Sequence, residues 1–184
     1  DFFNENDILK IKVTNNNENK SALKKIFVND DSSNESISYF DNLFSQIYFL
    51  PEMERLFLNS PTMRRNFFDR LIFSVDKNYN KIINQYKNNI YERNKILKSS
   101  NIDTDWINNI ENNIVDLGLQ IYSKRSDHIS VINDNLQNLN LIKSKIYKFN
   151  LEIVDELFCF EKNINIIREE FITKLRENRE IDRL

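Results

Sequence analysis

Phe49-Leu-Pro-Glu-Met-Glu-Arg-Leu-Phe-Leu-Asn-Ser-Pro-Thr-Met-Arg-Arg-Asn-Phe-Phe-Asp69 contains two helix starts in quick succession. Pro51 suits the first position of a helix, where its missing N–H costs nothing. The turn-forming sequence Asn59-Ser-Pro61 predicts that this short helix ends after residue 58. Ser60 can cap a second helix and Pro61 can open it. The stretch therefore predicts a helix–turn–helix connection from which the rest of the chain extends.

Arg64 and Arg65 are unusual residues for the opening turns of the second helix. Cations near a helix N-terminus oppose the helix dipole by roughly 0.3–1 kcal/mol each when exposed, so a compensating contact is expected. Asp69 lies four residues after Arg65 and predicts an Arg65–Asp69 pair, although this order is the weaker one for a helical pair. The alternative interpretation is a basic point offered to a phosphate or to a partner protein.

The same stretch carries a family resemblance: an aromatic residue, Pro-Glu, a short hydrophobic helix, and then Pro-x-x-Arg-Arg-x-Phe-hydrophobic-Asp. In these positions it is similar to the RecF family, which usually has a glycine where this chain has Asn59. Asn is the residue other than glycine that best tolerates a left-handed backbone, so a tight turn is compatible with the change. The matching residues are Phe49, Pro51, Glu52, Asn59, Pro61, Arg64, Arg65, Phe67, Phe68 and Asp69.

The resemblance implies a bacterial DNA replication and repair ATPase with an ABC/SMC-like head. The full-length parent protein would be cytoplasmic and would act in recombination, DNA damage repair and the SOS response. It would dimerise on ATP and help to load recombinase at gaps or damaged DNA. The implied partners are duplex DNA, single-strand/duplex junctions, and RecR- and RecO-type mediators. ATP and Mg are implied as cofactors of the full-length parent.

Periodicity predicts a mostly helical α+β fold, with short antiparallel strands followed by long antiparallel helices. Residues 8–14 alternate between apolar and polar side chains and predict a strand, and Leu23–Val28 predicts a second one. We also expect a short helix over residues 34–44 and a short strand over residues 151–154. The apolar run 46–50 is of strand length.

The resemblance implies a division into three parts. Residues 1–60 would form part of the lobe of an ATPase head. Residues 61–148 would form a helical arm. Residues 149–184 would return to the head through a short strand and a helix over residues 165–179. Because the chain begins with Asp and ends within a charged run, we expect it to be a piece of a longer protein.

The helix predicted over residues 77–98 places its apolar residues on one face, at about 100° per residue. Arg93 falls near that face, so it should be paired or should extend its charge to the surface. The sequence Arg93-Asn94 is also similar to an Arg-Asn pair of the RecF family. We therefore interpret both residues as structural.

A second, longer helix is predicted after Asp105, with apolar residues recurring at three and four positions as far as Ile146. Thr104 is the expected cap, and Trp106 is expected on the apolar face. If it is continuous, this helix is about 60 Å long. Trp106, Gly118 and Arg125 fall where RecF proteins carry the same residue types in their arm, and we interpret them as structural.

No active site is predicted. A phosphate-binding loop needs several glycines and a Lys beside Ser or Thr, and Gly118 is the one glycine of the sequence. The signature and Walker B motifs of ABC-type heads are missing too, so the chain alone should not bind or hydrolyse ATP. His128 has no partner at metal-ligand spacing, and Cys159 between two Phe residues favours a packed thiol. The lone cysteine and the lack of a signal peptide or an apolar run of membrane-spanning length favour a cytoplasmic setting.

Charge distribution gives the clearest functional indication. Residues 61–100 contain nine Lys or Arg against three acids, a local charge of +6, in a chain whose net charge is −2. Such a segment suits DNA phosphates, although any surface helix opposes its apolar face with charges. The alternative is a non-enzymatic helical interaction module of an SMC-type scaffold, with its lysines merely solvated. The candidate DNA contacts are Arg64, Lys77, Lys81, Lys87, Lys95 and Lys98.

Overall fold

The computed structural model of the chain describes residues 2–4, 7–16, 23–45, 47, 50–138, 149–155 and 163–183. The chain divides into two compact units, Asp1–Glu54 and Arg55–Leu184. The first unit holds the strands and one helix. The regular elements described in the second unit are all helices, so the mostly helical α+β prediction is confirmed.

Strands β1 (Phe2–Asn4) and β2 (Asp7–Leu9) form one antiparallel pair, and β3 (Ile11–Asn16) and β4 (Leu23–Val28) form another. The single strand predicted over residues 8–14 is thus divided at Lys10. Its backbone N–H donates to Asn29 Oδ1 and its carbonyl accepts from the Asn29 N–H, both at 2.9 Å. These hydrogen bonds draw Lys10 into the turn after β4, and they explain the break.

The turn after β4 depends on two residues with left-handed backbone. Asn29 and Asp30 have φ angles of 51° and 65°, a region that Asn and Asp tolerate better than most residues. Helix α1 (Asn34–Leu43) follows, and Ser33 caps it by accepting a hydrogen bond from the Ser36 N–H. The helix predicted over residues 34–44 is therefore confirmed.

A short 3₁₀ helix spans Pro51–Leu58 and bends at Arg55, and helix α2 (Pro61–Val75) follows. Ser60 Oγ accepts a hydrogen bond from the Met63 N–H, and Pro61 occupies the first turn of α2. Asn59 has no positive φ, so the connection does not use the left-handed turn for which Asn was considered. Of the apolar run before Pro51, the described residues Ile47 and Leu50 lie outside any strand.

Helices α3 (Tyr79–Leu97) and α4 (Thr104–Asn138) form an antiparallel hairpin. Ile96, near the end of α3, packs with Ile107, near the start of α4. Tyr79, at the start of α3, packs with Ile121, farther along α4. With 35 residues, α4 is about 52 Å long. The predicted continuation to Ile146 lies outside the described residues.

The cap of α4 differs from the prediction. The cap is Asp103 and not Thr104. Its Oδ1 accepts hydrogen bonds from the backbone N–H groups of Asp105 and Trp106, both at 3.0 Å. Both residues are common helix caps, and Asp also places a negative charge at the positive end of the helix dipole. The helix therefore begins at Thr104, earlier than a cap at Thr104 would place it.

Helices α5 (Ile164–Glu177) and α6 (Arg179–Arg183) pack against the hairpin, α5 on α4 and α6 on α3. The helix predicted over residues 165–179 is confirmed within two residues, with Ile167 buried. The strand predicted over residues 151–154 is wrong, because residues 149–155 are described without a strand. The return of this segment to an ATPase head stays a prediction.

Candidate nucleic-acid interface

Four lysines of the predicted DNA surface project from the outer side of α3. Lys81, Lys87, Lys95 and Lys98 are exposed, and none of them makes an ion pair within the described part of the chain. From Lys81 to Lys98 the row extends about 25 Å along the helix axis. We call these four residues the lysine stripe. Its length corresponds to roughly seven phosphates on one strand of a duplex.

The two other predicted DNA contacts differ from the stripe. Lys77 is half-buried, and its Nζ lies 4.8 Å from the ring centroid of Phe73, a cation–π contact. Arg64 is exposed in the first turns of α2. Glu92 is the exposed acid that interrupts the basic surface of α3. The structure thus brings four of the six predicted residues onto one helix surface.

Arg93 lies on the opposite side of α3, where it is only 2% exposed. Its Nε donates to Glu111 Oε1 at 3.0 Å, and its two terminal nitrogens donate to Asp182 Oδ2 and the Leu175 carbonyl, both at 2.6 Å. The Arg93 guanidinium therefore joins α3, α4, α5 and α6. This placement removes Arg93 from any surface that DNA reaches.

Glu111 is fully buried and accepts from a second arginine. Arg179 Nε donates to Glu111 Oε1 at 2.9 Å, its Nη2 bonds the other carboxylate oxygen, and Nη2 also donates to Asn108 Oδ1 at 2.7 Å. Hydrogen bonds from Arg179 to Glu111 raise the pKa of Arg179. No role was predicted for Glu111 from the sequence. Its position between Ile110 and Ile114 on the apolar face of α4 was the signal for a buried carboxylate that needs a cation.

Asp69 pairs with Arg125 and not with Arg65, so the predicted Arg65–Asp69 pair is wrong. Its carboxylate accepts two hydrogen bonds from Arg125, at 2.9 and 2.8 Å, and a third from the Tyr79 hydroxyl at 2.7 Å. Arg65 instead donates to Thr62 Oγ1 at 3.4 Å. The guanidinium of Arg125, from α4, makes two parallel hydrogen bonds to Asp69. Arg65, one turn away from Asp69 on α2, does not make this contact.

The contacts with Asp69 raise the pKa values of Arg125 and Tyr79. Burial lowers the pKa of Arg125, but hydrogen bonds and charge from Asp69 outweigh it and leave that pKa raised. Burial and the bond to Asp69 raise the pKa of Tyr79. Arg125 therefore stays charged and Tyr79 stays neutral across the physiological range. The three side chains join α2, α3 and α4 as a structural contact.

Further ion pairs that the sequence analysis missed lie around the hairpin. Lys124 Nζ lies 2.5 Å from Asp76 Oδ2, and this hydrogen bond lowers the pKa of Asp76. Arg168 pairs with Asp116, joining α5 to α4. These partners are 48 and 52 residues apart in sequence. No local pattern predicted them, because helix packing alone brings them together.

Gly118, interpreted as structural, lies where α4 meets α5. A Cβ atom added there would lie 2.6 Å from Cε1 of Phe171 and 3.5 Å from a ring atom of Tyr86. The position therefore allows α5 to approach α4 closely. Asn94 is exposed on α3, and its carbonyl accepts a hydrogen bond from the Lys98 N–H at the helix end.

Trp106 corrects another expectation. It was expected on the apolar face of α4, but it is 51% exposed. At about 100° per residue it lies roughly 90° from the centre of the buried stripe that contains Ile107, Ile110 and Ile114. Trp106 is therefore an edge residue of the hairpin and not a core residue.

Some of the remaining predicted residues lie within the described part of the chain, and others lie outside it. Phe49 and Cys159 lie outside the described residues, whereas Pro51 and Glu52 open the 3₁₀ helix and Phe67 is half-buried in α2. His128 packs edge-on against Phe68, with ring centroids 5.7 Å apart, and burial lowers its pKa.

Two further properties concern only the described ranges. No three His, Cys, Asp or Glu side chains in them are placed to hold a metal ion. No helix in them combines the length and the apolar character needed to cross a bilayer.

Curated relatives extend across most of the chain. It is 30% identical over 155 residues to the DNA replication and repair protein RecF of Rickettsia prowazekii, which covers 83% of this chain and 41% of that protein. The RecF of Rickettsia felis is 28% identical over 91% of this chain and 38% of its own length. The RecF of Acholeplasma laidlawii is 30% identical over 74% of this chain and 37% of its own length. The chain thus spans about two fifths of the length of these relatives.

Solved structures agree in fold. The chain superposes on two structures of the recombination mediator protein RecF in the RecFOR pathway, one described as RecF-ATP and the other as RecF-ATPrS. The TM-scores are 0.70 and 0.69, at 23% and 21% identity, over 88% of this chain and 44% of each RecF chain. No family model matches the chain. The motif residues, the helical hairpin and the relatives together lead to one conclusion: the chain belongs to the RecF family.

Proposed function

We propose that this chain is the arm-bearing part of a RecF-like DNA replication and repair protein, and that its lysine stripe binds the phosphate backbone of duplex DNA. The lysine stripe is the observation that carries the proposal. It holds four exposed cations that make no ion pair with the described residues, on one face of a helix, in a chain whose overall charge is negative. Cations that make no protein ion pair are free to neutralise phosphates and to release their counterions.

The core of the hairpin supports this assignment by holding α3 in place. Arg93 fixes one end of α3 to three other helices, and the Asp69–Arg125–Tyr79 group fixes its other end. The lysines therefore project from a helix whose position is determined on both ends. A fixed row of charges binds a regular polyanion with less loss of freedom than the same lysines on a loose segment.

The wider activity is proposed from the relatives. A RecF-like parent would bind DNA in an ATP-dependent manner, as a homodimer, and would help to load recombinase at gaps or damaged DNA. ATP and Mg would be held by parts of the protein that this sequence does not include. RecR- and RecO-type mediators would be its protein partners, and the cytoplasm its location.

The experiment measures binding of the chain to a fluorescently labelled duplex by anisotropy, over a series of salt concentrations. We expect weak binding that is insensitive to duplex sequence and that falls steeply with salt. The slope of log K against log salt is about −0.9 for each phosphate neutralised on a duplex. A Lys81→Ala/Lys87→Ala double variant should therefore flatten the slope by about two units.

The matched control is a Lys174→Ala/Arg176→Ala double variant, which removes two exposed cations from α5. It changes the net charge by the same amount but leaves the lysine stripe intact, so its slope should stay near that of the unchanged chain. Equal weakening by both double variants would show a generic cationic surface. The helical interaction module would then be the better assignment.

A further inference from the structure

Two large aromatic side chains are exposed on the helices that flank the turn of the hairpin. Tyr91 of α3 is 73% exposed and Trp106 of α4 is 51% exposed. Both line an open pocket of about 610 Å³. That volume lies within the range of about 300–1,000 Å³ that is usual for small-ligand sites. Burying such rings is favourable, so their exposure at one pocket points to a ligand with a flat apolar surface.

Polar groups in the same lining restrict what that ligand can be. Glu92 and Asp103 place two carboxylates in the pocket, and Lys95 of the lysine stripe lies in the same wall. The Asp103 carboxylate caps α4, so the end of that helix partly offsets its charge, but Glu92 is exposed. A phosphate inside the pocket would meet these acids. A neutral ring inside it, with the phosphate outside on Lys95 and Lys98, meets no such repulsion.

We propose, as an extension that rests on DNA binding by the lysine stripe, that this tip pocket binds a base of single-stranded DNA by stacking on Tyr91 and Trp106. A base in a duplex cannot enter, because its faces are covered by its neighbours. An unpaired base has free faces, and aromatic platforms beside a cationic track are the usual way in which proteins hold single strands. The amide of Asn88, also in the lining, supplies a donor and an acceptor for the base edge.

The chain offers a direct readout, because Trp106 is its only tryptophan. The chain is titrated with an oligodeoxythymidylate, and Trp106 fluorescence is followed together with the anisotropy of a labelled strand. A sugar–phosphate strand of equal length that lacks bases is titrated in parallel. We expect the thymidylate strand to quench Trp106 on binding and the abasic strand to bind without quenching.

Variants separate stacking from charge. Tyr91→Leu and Trp106→Leu each remove one ring at an exposed position, and each should weaken binding of the thymidylate strand roughly 5- to 150-fold, the range for loss of one stacked base. Both variants should leave duplex binding unchanged. Tyr91→Phe keeps the ring and should retain binding. Tyr39→Leu is the matched control, since Tyr39 is a similarly exposed tyrosine, at 56%, outside the arm.

Each outcome decides between the two proposals. Quenching by the thymidylate strand alone, lost in Tyr91→Leu, together with weaker strand binding of both Leu variants by anisotropy, supports the tip pocket. If the duplex binds with its steep salt dependence but neither strand quenches Trp106, the base site is overturned and duplex binding stands; the pocket then suits a protein partner. Equal quenching by the abasic strand also overturns stacking. Failure of both duplex and single strand to bind overturns both proposals.

Discussion

Glu111 links α4 to α3 and α6 through a buried carboxylate. It has no solvent exposure, and its carboxylate is the shared acceptor for Arg93 and Arg179. A buried carboxylate between two guanidinium groups is stable only while both charges are compensated, because each ion has lost its hydration. Removing the Glu111 charge leaves Asp182 as the acidic partner of Arg93, so the buried guanidinium keeps only part of its compensation.

We therefore expect Glu111→Gln to lower the free energy of unfolding by about 3 kcal/mol, as is usual when one partner of a buried ion pair is removed. Urea unfolding followed by circular dichroism measures it. Glu92→Gln makes the same chemical change at an exposed site of α3 and should stay within about 0.5 kcal/mol of the unchanged chain. Equal stability of the two variants would contradict the buried network.

Gly118 tests how closely α5 approaches α4. Glycine within a helix costs about 1 kcal/mol relative to alanine, so an unobstructed Gly118→Ala change would stabilise the chain. The new methyl group would lie 2.6 Å from Phe171, however, and overpacking of this kind costs about 1–3 kcal/mol. We expect a net loss of about 1 kcal/mol by thermal or urea unfolding.

The double variant identifies the cause of that loss. In a Phe171→Leu background the obstructing ring is gone, so the same Gly118→Ala change should become stabilising by about 0.5–1 kcal/mol. If Gly118→Ala has the same effect in both backgrounds, the contact with Phe171 is not the reason for glycine at this position.

At the scale of single elements, the start of α1 shows how a helix end sets a pKa. Asp31 accepts hydrogen bonds from the Ser33 hydroxyl at 2.6 Å and the Ser33 N–H at 2.9 Å, and from the Ser36 hydroxyl at 2.5 Å. These bonds lower the pKa of Asp31 from 3.8 to about 2. Because the folded pKa is depressed, the stabilisation is complete above pH 3.8 and is lost as the pH falls towards 2.

Ser33→Ala removes both the cap of α1 and the hydroxyl that bonds Asp31. The pKa of Asp31, followed by the NMR shift of its carboxyl carbon, should rise towards 3.8, and the amide of Ser36 should lose protection from hydrogen exchange. Ser38→Ala, within the same helix, should leave the pKa of Asp31 near 2. An unchanged pKa in Ser33→Ala would show that other donors determine it.

The junction of α2, α3 and α4 depends on Asp69. Asp69→Asn should lower the free energy of unfolding by about 2 kcal/mol, because Arg125 loses a two-bond, charge-assisted partner in a partly buried site. Arg65→Ala should change it by less than about 0.5 kcal/mol, since Arg65 is exposed and does not contact Asp69. The comparison is made by urea unfolding. A larger loss of unfolding free energy for Arg65→Ala than for Asp69→Asn would instead support the Arg65–Asp69 pair.

At the scale of the whole molecule, the chain divides into a strand-bearing unit and a unit built mainly of helices. The single glycine lies inside α4 against Phe171, where its backbone is part of a helix and cannot cradle a phosphate. We therefore expect the chain to bind no fluorescent ATP analogue specifically. Weak binding to the basic arm should vanish with added salt, whereas saturable micromolar binding that survives salt would contradict the prediction.

Local sequence was sufficient to predict features that depend on neighbours in the chain. The cap at Ser60, the two-helix start around Pro61, the faces of α3 and the inward position of Arg93 all follow from short-range hydrogen bonding and from the helical period. The family could also be identified from the sequence, because the residues of its motif lie close together in the chain.

Only the tertiary structure decided which charges meet. Asp69 is four residues from Arg65 but pairs with Arg125, 56 residues away, and Arg93 reaches partners 18 to 89 residues away. Helix packing decides such contacts, because it places side chains from different helices at a common depth where water no longer competes. Periodicity predicts which face of a helix is buried, but not which residue of another helix will lie opposite.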